Sequence, residues 1–139
     1  MGAVEQVVIG VIRRADNILI SQRRKEDSYP LHWEFPGGKK EPGESDTECL
    51  TREIREELGV TIVPCRALAP ILVPASRGWR VLKPYECLFL GGEPRALECH
   101  AFRWVRFDTL ARLKFPPTNR PLIQWLRRQK CRARLSLVR

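Results

Sequence analysis

With 139 residues and an ordinary apolar share, the chain has the size of one domain with its own core. No segment is long or apolar enough to span a bilayer, and no basic-then-apolar signal opens the chain, so a cytoplasmic protein without a membrane partner is expected. The net charge is +9, much of it from Arg127, Arg128, Lys130, Arg132, Arg134 and Arg139. Such a surface attracts anionic ligands. No aromatic residue interrupts that run, so a stacking platform for single strands is not indicated, and nucleic acid stays a secondary partner. The five cysteines, Cys49, Cys65, Cys87, Cys99 and Cys131, are odd in number and lack paired metal-ligand spacing. They read as reduced thiols, and the isolated His32 and His100 as surface or satisfied polar residues.

Residues 4–12 are rich in β-formers, and Ala15-Asp16-Asn17 is a turn into a second strand over residues 18–22. A polar loop follows over residues 23–31. Trp33 to Phe35 is extended, because Pro36 disfavours the helical region at Phe35. Gly37-Gly38 lets the backbone turn sharply, and a carbonyl there could reach a metal. Ser45 is an N-cap, Glu48 completes a capping box, and Gly59 stands where a helix would end. Between them Leu50, Ile54 and Leu58 form a narrow apolar stripe. Residues 60–63, 69–73, 80–90 and 102–105 read as strands, and Asp108 as the cap of a short helix. Pro116-Pro117-Thr118-Asn119 breaks the chain before a last helix, from Pro121 to about residue 129, that buries Leu122, Ile123 and Leu126. The mixture predicts an α+β fold, a mixed sheet between helices.

The first helix also crowds Glu53, Glu56 and Glu57 beside its apolar stripe, with Glu44 just ahead of it. Side chains three and four apart are neighbours, so the three glutamates can converge and repel. Arg52 precedes Glu56 by four residues and can aim one carboxylate. A divalent cation with a taste for hard oxygen ligands, such as Mg2+ or Mn2+, would relieve the repulsion. The bland alternative is a solvated helix laced with ion pairs.

The whole pattern argues against the bland reading. Glycine, five residues, glutamate, seven residues, Arg-Glu, apolar, any, Glu-Glu, any, glycine, apolar is matched at Gly38, Glu44, Arg52, Glu53, Ile54, Glu56, Glu57, Gly59 and Val60. This segment resembles the signature of the Nudix hydrolases. The runs Gln22-Arg23-Arg24, Trp33 to Lys39 and Phe115 to Pro121 are similar to the MutT-like branch, which removes 8-oxo-dGTP by cutting it to the monophosphate and pyrophosphate. The similarity is strong in the signature and weaker between Pro64 and Arg95.

The resemblance implies an α/β/α sandwich over residues 1–130, followed by a basic tail, 131–139. It implies a monomer or weak dimer acting on a nucleoside triphosphate, with Mg2+ (Mn2+ possible) held by Glu53, Glu56, Glu57, Glu98 and a carbonyl at Gly38. Attack would fall on the β-phosphorus, with Glu53 or Glu98 as general base and Arg52 and Glu44 orienting the helix and loop. Glu93 competes with Glu98 for its place. Arg23 and Lys39 would hold phosphate oxygens, and Glu34 belongs with the substrate-binding residues. Phe35 either packs against the base or fills the core; Asn119 either reads the purine edge or caps the last helix. Two other readings remain: a Nudix enzyme for another nucleotide such as CTP or dCTP, and a noncatalytic lesion-reading module similar to the C-terminal domains of adenine DNA glycosylases. Those modules have a degraded acidic signature, whereas this one is intact.

Overall fold

The computed structural model describes residues 4–137, with side chains through residue 129. The expectations placed on the basic tail, 131–139, lie outside the described side chains. In chain order the elements are β1 (Val4–Arg14), β2 (Asn17–Gln22), β3 (Trp33–Glu34), β4 (Gly37–Lys39), α1 (Asp46–Leu58), β5 (Thr61–Ala67), β6 (Ile71–Pro74), β7 (Trp79–Gly91), β8 (Ala101–Arg106) and α2 (Arg120–Leu137). Two 3-10 turns, Phe107–Arg112 and Pro117–Asn119, lead into α2. No helix among the described residues is long and apolar enough to cross a membrane.

The eight strands make one mixed sheet with the path β3-β2-β1-β7-β5; β4 adds to β1, β6 to β7 and β8 to β2. The long parallel pairing of β1 with β7 runs from Val4 opposite Trp79 to Arg13 opposite Leu88. The other edge of β1 is shared. Its residues Val7, Val8 and Ile9 face Lys39, Gly38 and Gly37 of β4, and Ile12 to Arg14 face β2. β4 is thereby held at the middle of the sheet, directly beside α1.

Alternation along β1 divides the core in two. Val8 and Ile12 pack with Leu50, Ile54 and Leu58 of α1, and Ile9 and Val11 pack with Leu122, Ile123 and Leu126 of α2. The predicted stripe Leu50, Ile54 and Leu58 is fully buried. Removing such side chains from water contributes roughly 1.5–3 kcal/mol each, which fixes the face of α1 that meets the sheet.

Three expectations need correction. The Gly37-Gly38 segment is a strand rather than a sharp turn; β4 lies so close to β1 that a Cβ at Gly37 would overlap the Val8 carbonyl. Asp108 is not a cap. Arg106 holds the extended cap position without a side-chain cap bond, and Asp108 sits inside the turn, 3.6 Å from the Arg106 guanidinium. The last helix starts at Arg120 and continues past residue 129 to Leu137, with no glycine or proline beyond Pro121 to stop it.

Candidate active site

α1 is set by local chemistry at both ends. Ser45 Oγ accepts from Glu48 N–H at 3.1 Å, and the Glu48 carboxylate accepts from Ser45 N–H at 3.0 Å. Gly59 closes the helix in the left-handed region at φ 70°, its N–H donating to Arg55 O. With phase and ends fixed, the helix turns Glu53 and Glu57 toward β4.

Three residues of α1, spaced by four, meet three of β4 in reverse order. Cys49 Sγ lies 3.6 Å from Lys39 O and 3.7 Å from Gly38 O. The Glu53 carboxylate packs on the Cα of Gly38, where any Cβ would overlap it. Gly37 N–H donates to Glu57 Oε2 at 3.1 Å. The sheet register decides which carbonyls look toward α1. Gly10 N–H donates to Pro36 O and Lys40 N–H to Gln6 O, so alternation makes Gly38 opposite Val8 a hydrogen-bonded pair. The polar groups of Gly38 therefore turn to β1, and those of Gly37 and Lys39 turn outward. The carbonyl expected to reach a metal was that of Gly38; by this register the outward carbonyl beside Glu57 is that of Gly37.

Arg52 braces the acidic set. Its Nε and Nη2 donate to the two oxygens of Glu44 at 2.7 and 3.0 Å, and Nη1 donates to Glu53 at 2.9 Å and Glu56 at 3.4 Å. The Arg52 bonds, with the Glu41 N–H, hold the Glu44 carboxyl down at about 2. Glu44 and Arg52 thus tie the loop after β4 to the helix.

Glu98 enters from a loop forty residues downstream. Leu97 N–H and Glu98 N–H both donate to Glu57 O, at 2.9 and 3.2 Å, and Arg95 N–H donates to Leu58 O at 2.9 Å. The loop therefore docks on the carbonyls that the end of α1 leaves free. Of Glu98 and Glu93, it is Glu98 whose charge raises both Glu53 and Glu57.

Burial is the largest cause of the upward shift of three carboxyls, Glu34, Glu53 and Glu57. Glu57 is pushed up to about 8, first by burial and then by the charges of Glu34, Glu53 and Glu98, against the Gly37 N–H that lowers it. Among the described residues, no three His, Cys, Asp or Glu side chains stand in metal-holding geometry as placed, and Arg52 engages both Glu53 and Glu56. The donors nevertheless fit a hard divalent ion: mutually repelling carboxylates whose charged forms are disfavoured, beside an outward carbonyl.

The expected substrate residues are distributed unevenly. Arg23 is committed to Glu34, at 3.0 and 3.2 Å, and to Ser28. Lys39 is 69% exposed and only 3.3 Å from Glu5, so its ammonium is within reach of a ligand. Phe35 is 2% exposed and stacks at a tilt on Phe115, which favours the core over the base of its two expected places. Asn119 is buried in the turn ahead of α2, its Nδ2 3.5 Å from Pro116 O. That bond runs back along the turn rather than onto the first N–H groups of α2.

Two features escaped sequence reasoning. Asp46 accepts from Tyr85 Oη at 2.6 Å and pairs with Lys83 at 2.7 Å and Lys40 at 3.0 Å, joining α1 to β7 and to the loop after β4. Glu34 is close enough to Glu57 to raise it. Cys49, one turn before Glu53, carried a usable signal, since that spacing places it on the same face.

A family model described as "NUDIX domain" matches residues 4–126. The chain is 31% identical over 124 residues to the 8-oxo-dGTP diphosphatase of Escherichia coli K12, covering 88% of this chain and 96% of that one. It is also 31% identical over 119 residues to the CTP pyrophosphohydrolase of the same organism, covering 86% and 88%. A solved structure of a MutT protein from Methanosarcina mazei Go1 superposes with a TM-score of 0.82 at 21% identity, covering 93% of this chain and 96% of that one, a likeness of fold.

Proposed function

The chain belongs to the Nudix hydrolases, enzymes of phosphoric anhydrides, and from that premise we propose that it hydrolyses 8-oxo-dGTP to 8-oxo-dGMP and pyrophosphate. The observation that carries the chemistry is the partly buried acidic set at β4, with Glu57 pushed up to about 8 beside Gly37 and Arg52 bracing Glu44, Glu53 and the exposed Glu56. Glu53, Glu56, Glu57, Glu98 and the Gly37 carbonyl would hold the ion, magnesium or manganese. When bound, it supplies charge neutralisation at the phosphates and a lower pKa for the attacking water.

The chain's own groups then do the rest. A carboxylate oxygen of Glu53 or Glu98 accepts the proton of the attacking water. The water oxygen joins the β-phosphorus, the bond to the α–β bridging oxygen breaks, and that oxygen leaves with the monophosphate. Arg52 keeps Glu53 and Glu56 from swinging away. Lys39, exposed at the rim, offers its ammonium to the phosphates, and Arg23 joins only by exchanging part of its hold on Glu34. Asn119, with donor and acceptor on one amide, reads the polar edge of the oxidised purine.

A second reading rests on the likeness to a CTP pyrophosphohydrolase: the same phosphate chemistry with a pyrimidine triphosphate. Both are tested by competitive turnover of 8-oxo-dGTP, dGTP, dCTP and CTP with Mg2+, products separated by chromatography. Selective loss of 8-oxo-dGTP with monophosphate and pyrophosphate appearing together supports the first. Preference for CTP or dCTP replaces it with the second. No turnover of any, with salt-dependent DNA binding, would turn the reading toward a lesion-binding module.

A further inference from the structure

We propose that Cys49 is a positioning residue of this site: its thiol holds the Lys39 end of β4 against α1 and so sets the direction of the Gly37 carbonyl. The inference rests on the metal-site reading above. β4 has only three residues and one strand partner, β1. Its outward edge meets α1. At one end Gly37 N–H donates to Glu57, and at the other Cys49 Sγ lies 3.6 Å from Lys39 O. Between them Glu53 presses on Gly38, which has no side chain to resist it. Positions 49, 53 and 57 lie one turn apart on a single face, so the helix engages β4 at three successive points.

Without the thiol, Lys39 O and Gly38 O would lose the proton they share with the Glu44 carboxylate, and the outward edge of β4 would keep its bond to α1 at the Gly37 end. β1 still holds the inner edge of β4, so what loosens is its outward edge, where the Gly37 carbonyl stands. The donors would then meet an ion in a looser arrangement. Cys49 is fully buried, so water does not replace its proton readily.

The test is Mn2+ binding to substrate-free protein, read by the paramagnetic resonance of free Mn2+, for wild type, E53Q, C49A and C49S. E53Q comes first: if it binds Mn2+ as wild type does, the metal-site reading fails, and Cys49 is not at issue. With E53Q impaired, C49A is expected to bind Mn2+ about three- to tenfold more weakly, the range of one neutral hydrogen bond. C49S, which keeps a donor, is expected to recover most of that loss, with both variants still unfolding cooperatively. If C49A does not unfold cooperatively, C49V takes its place in the comparison. Wild-type affinity in C49A would overturn the proposal. So would equal weakening in C49A and C49S, which would assign the effect to the volume of sulfur rather than to its proton.

Discussion

Metal-free protein should lose stability as pH rises from 5 to 8, the reverse of what paired surface carboxylates produce. Glu57 carries the effect. Its carboxyl is pushed from an ordinary 4.5 to about 8, mainly by burial. The folded state therefore keeps a proton that the unfolded chain releases near 4.5, so between these values folding binds more protons than unfolding. Stability then falls with pH across that window. The contribution is complete below 4.5 and lost above 8. At about 1.4 kcal/mol per pH unit, the span corresponds to about 5 kcal/mol. That figure is an upper bound, because Glu34, Glu53 and Glu98 press on the same proton. Glu53 and Glu34 are also raised and act in the same direction, whereas Glu44 and Asp46, lowered to about 2, titrate below the window. For a domain of this size the drop in melting temperature is on the order of 10 °C. Thermal unfolding in chelator from pH 5 to 8.5, for wild type and Glu57→Gln, measures it. The neutral amide should flatten the slope and leave the variant more stable than wild type at pH 8. Mg2+ should raise the melting temperature of wild type most at pH 8, where Glu57 is free to ligate. Parallel profiles for the two proteins would refute the reasoning, since the proton would then reside elsewhere.

Glu53→Gln should lower turnover by orders of magnitude while the melting temperature stays near that of wild type; near-normal activity would remove Glu53 from the site. Gly38→Ala places a methyl where the Glu53 carboxylate lies, so activity should fall at least tenfold with the fold retained, as circular dichroism and a kinetic assay would show. Asn119→Ala should erode the preference for 8-oxo-dGTP over dGTP, raising KM for the oxidised nucleotide more than it lowers kcat. An unchanged preference would return Asn119 to a purely structural place in the turn before α2.

Much of this protein is legible in its sequence because the relevant interactions are local. Ser45, Glu48 and Gly59 close α1 through bonds within three or four residues, and the spacing of Leu50, Ile54 and Leu58 sets its buried face. Once that face is set, Arg52, Glu53, Glu56 and Glu57 have their directions too, so the acidic set could be read before any coordinates. The mixed sheet between helices is likewise read from the succession of strands and helices along the chain.

What tertiary structure alone decided depends on pairing between distant segments. Gly37 and Gly38 looked like a turn because two glycines permit one; β1 approaches Gly37, and Glu53 of α1 approaches Gly38, so closely that the same glycines are required in a strand. The register of that ladder, not the residue type, turns the Gly38 carbonyl to Val8 and leaves the Gly37 carbonyl outward. Glu98 reaches the site because backbone N–H groups of its loop dock on the last carbonyls of α1, contacts that carry no side-chain signature. Phe35 is in the core because Phe115 is folded against it from eighty residues away. The sequence by itself determined which side chains α1 would present; only the register of β4 against β1 and the docking of the Glu98 loop decided what they would meet, because both are settled by backbone groups that every residue shares.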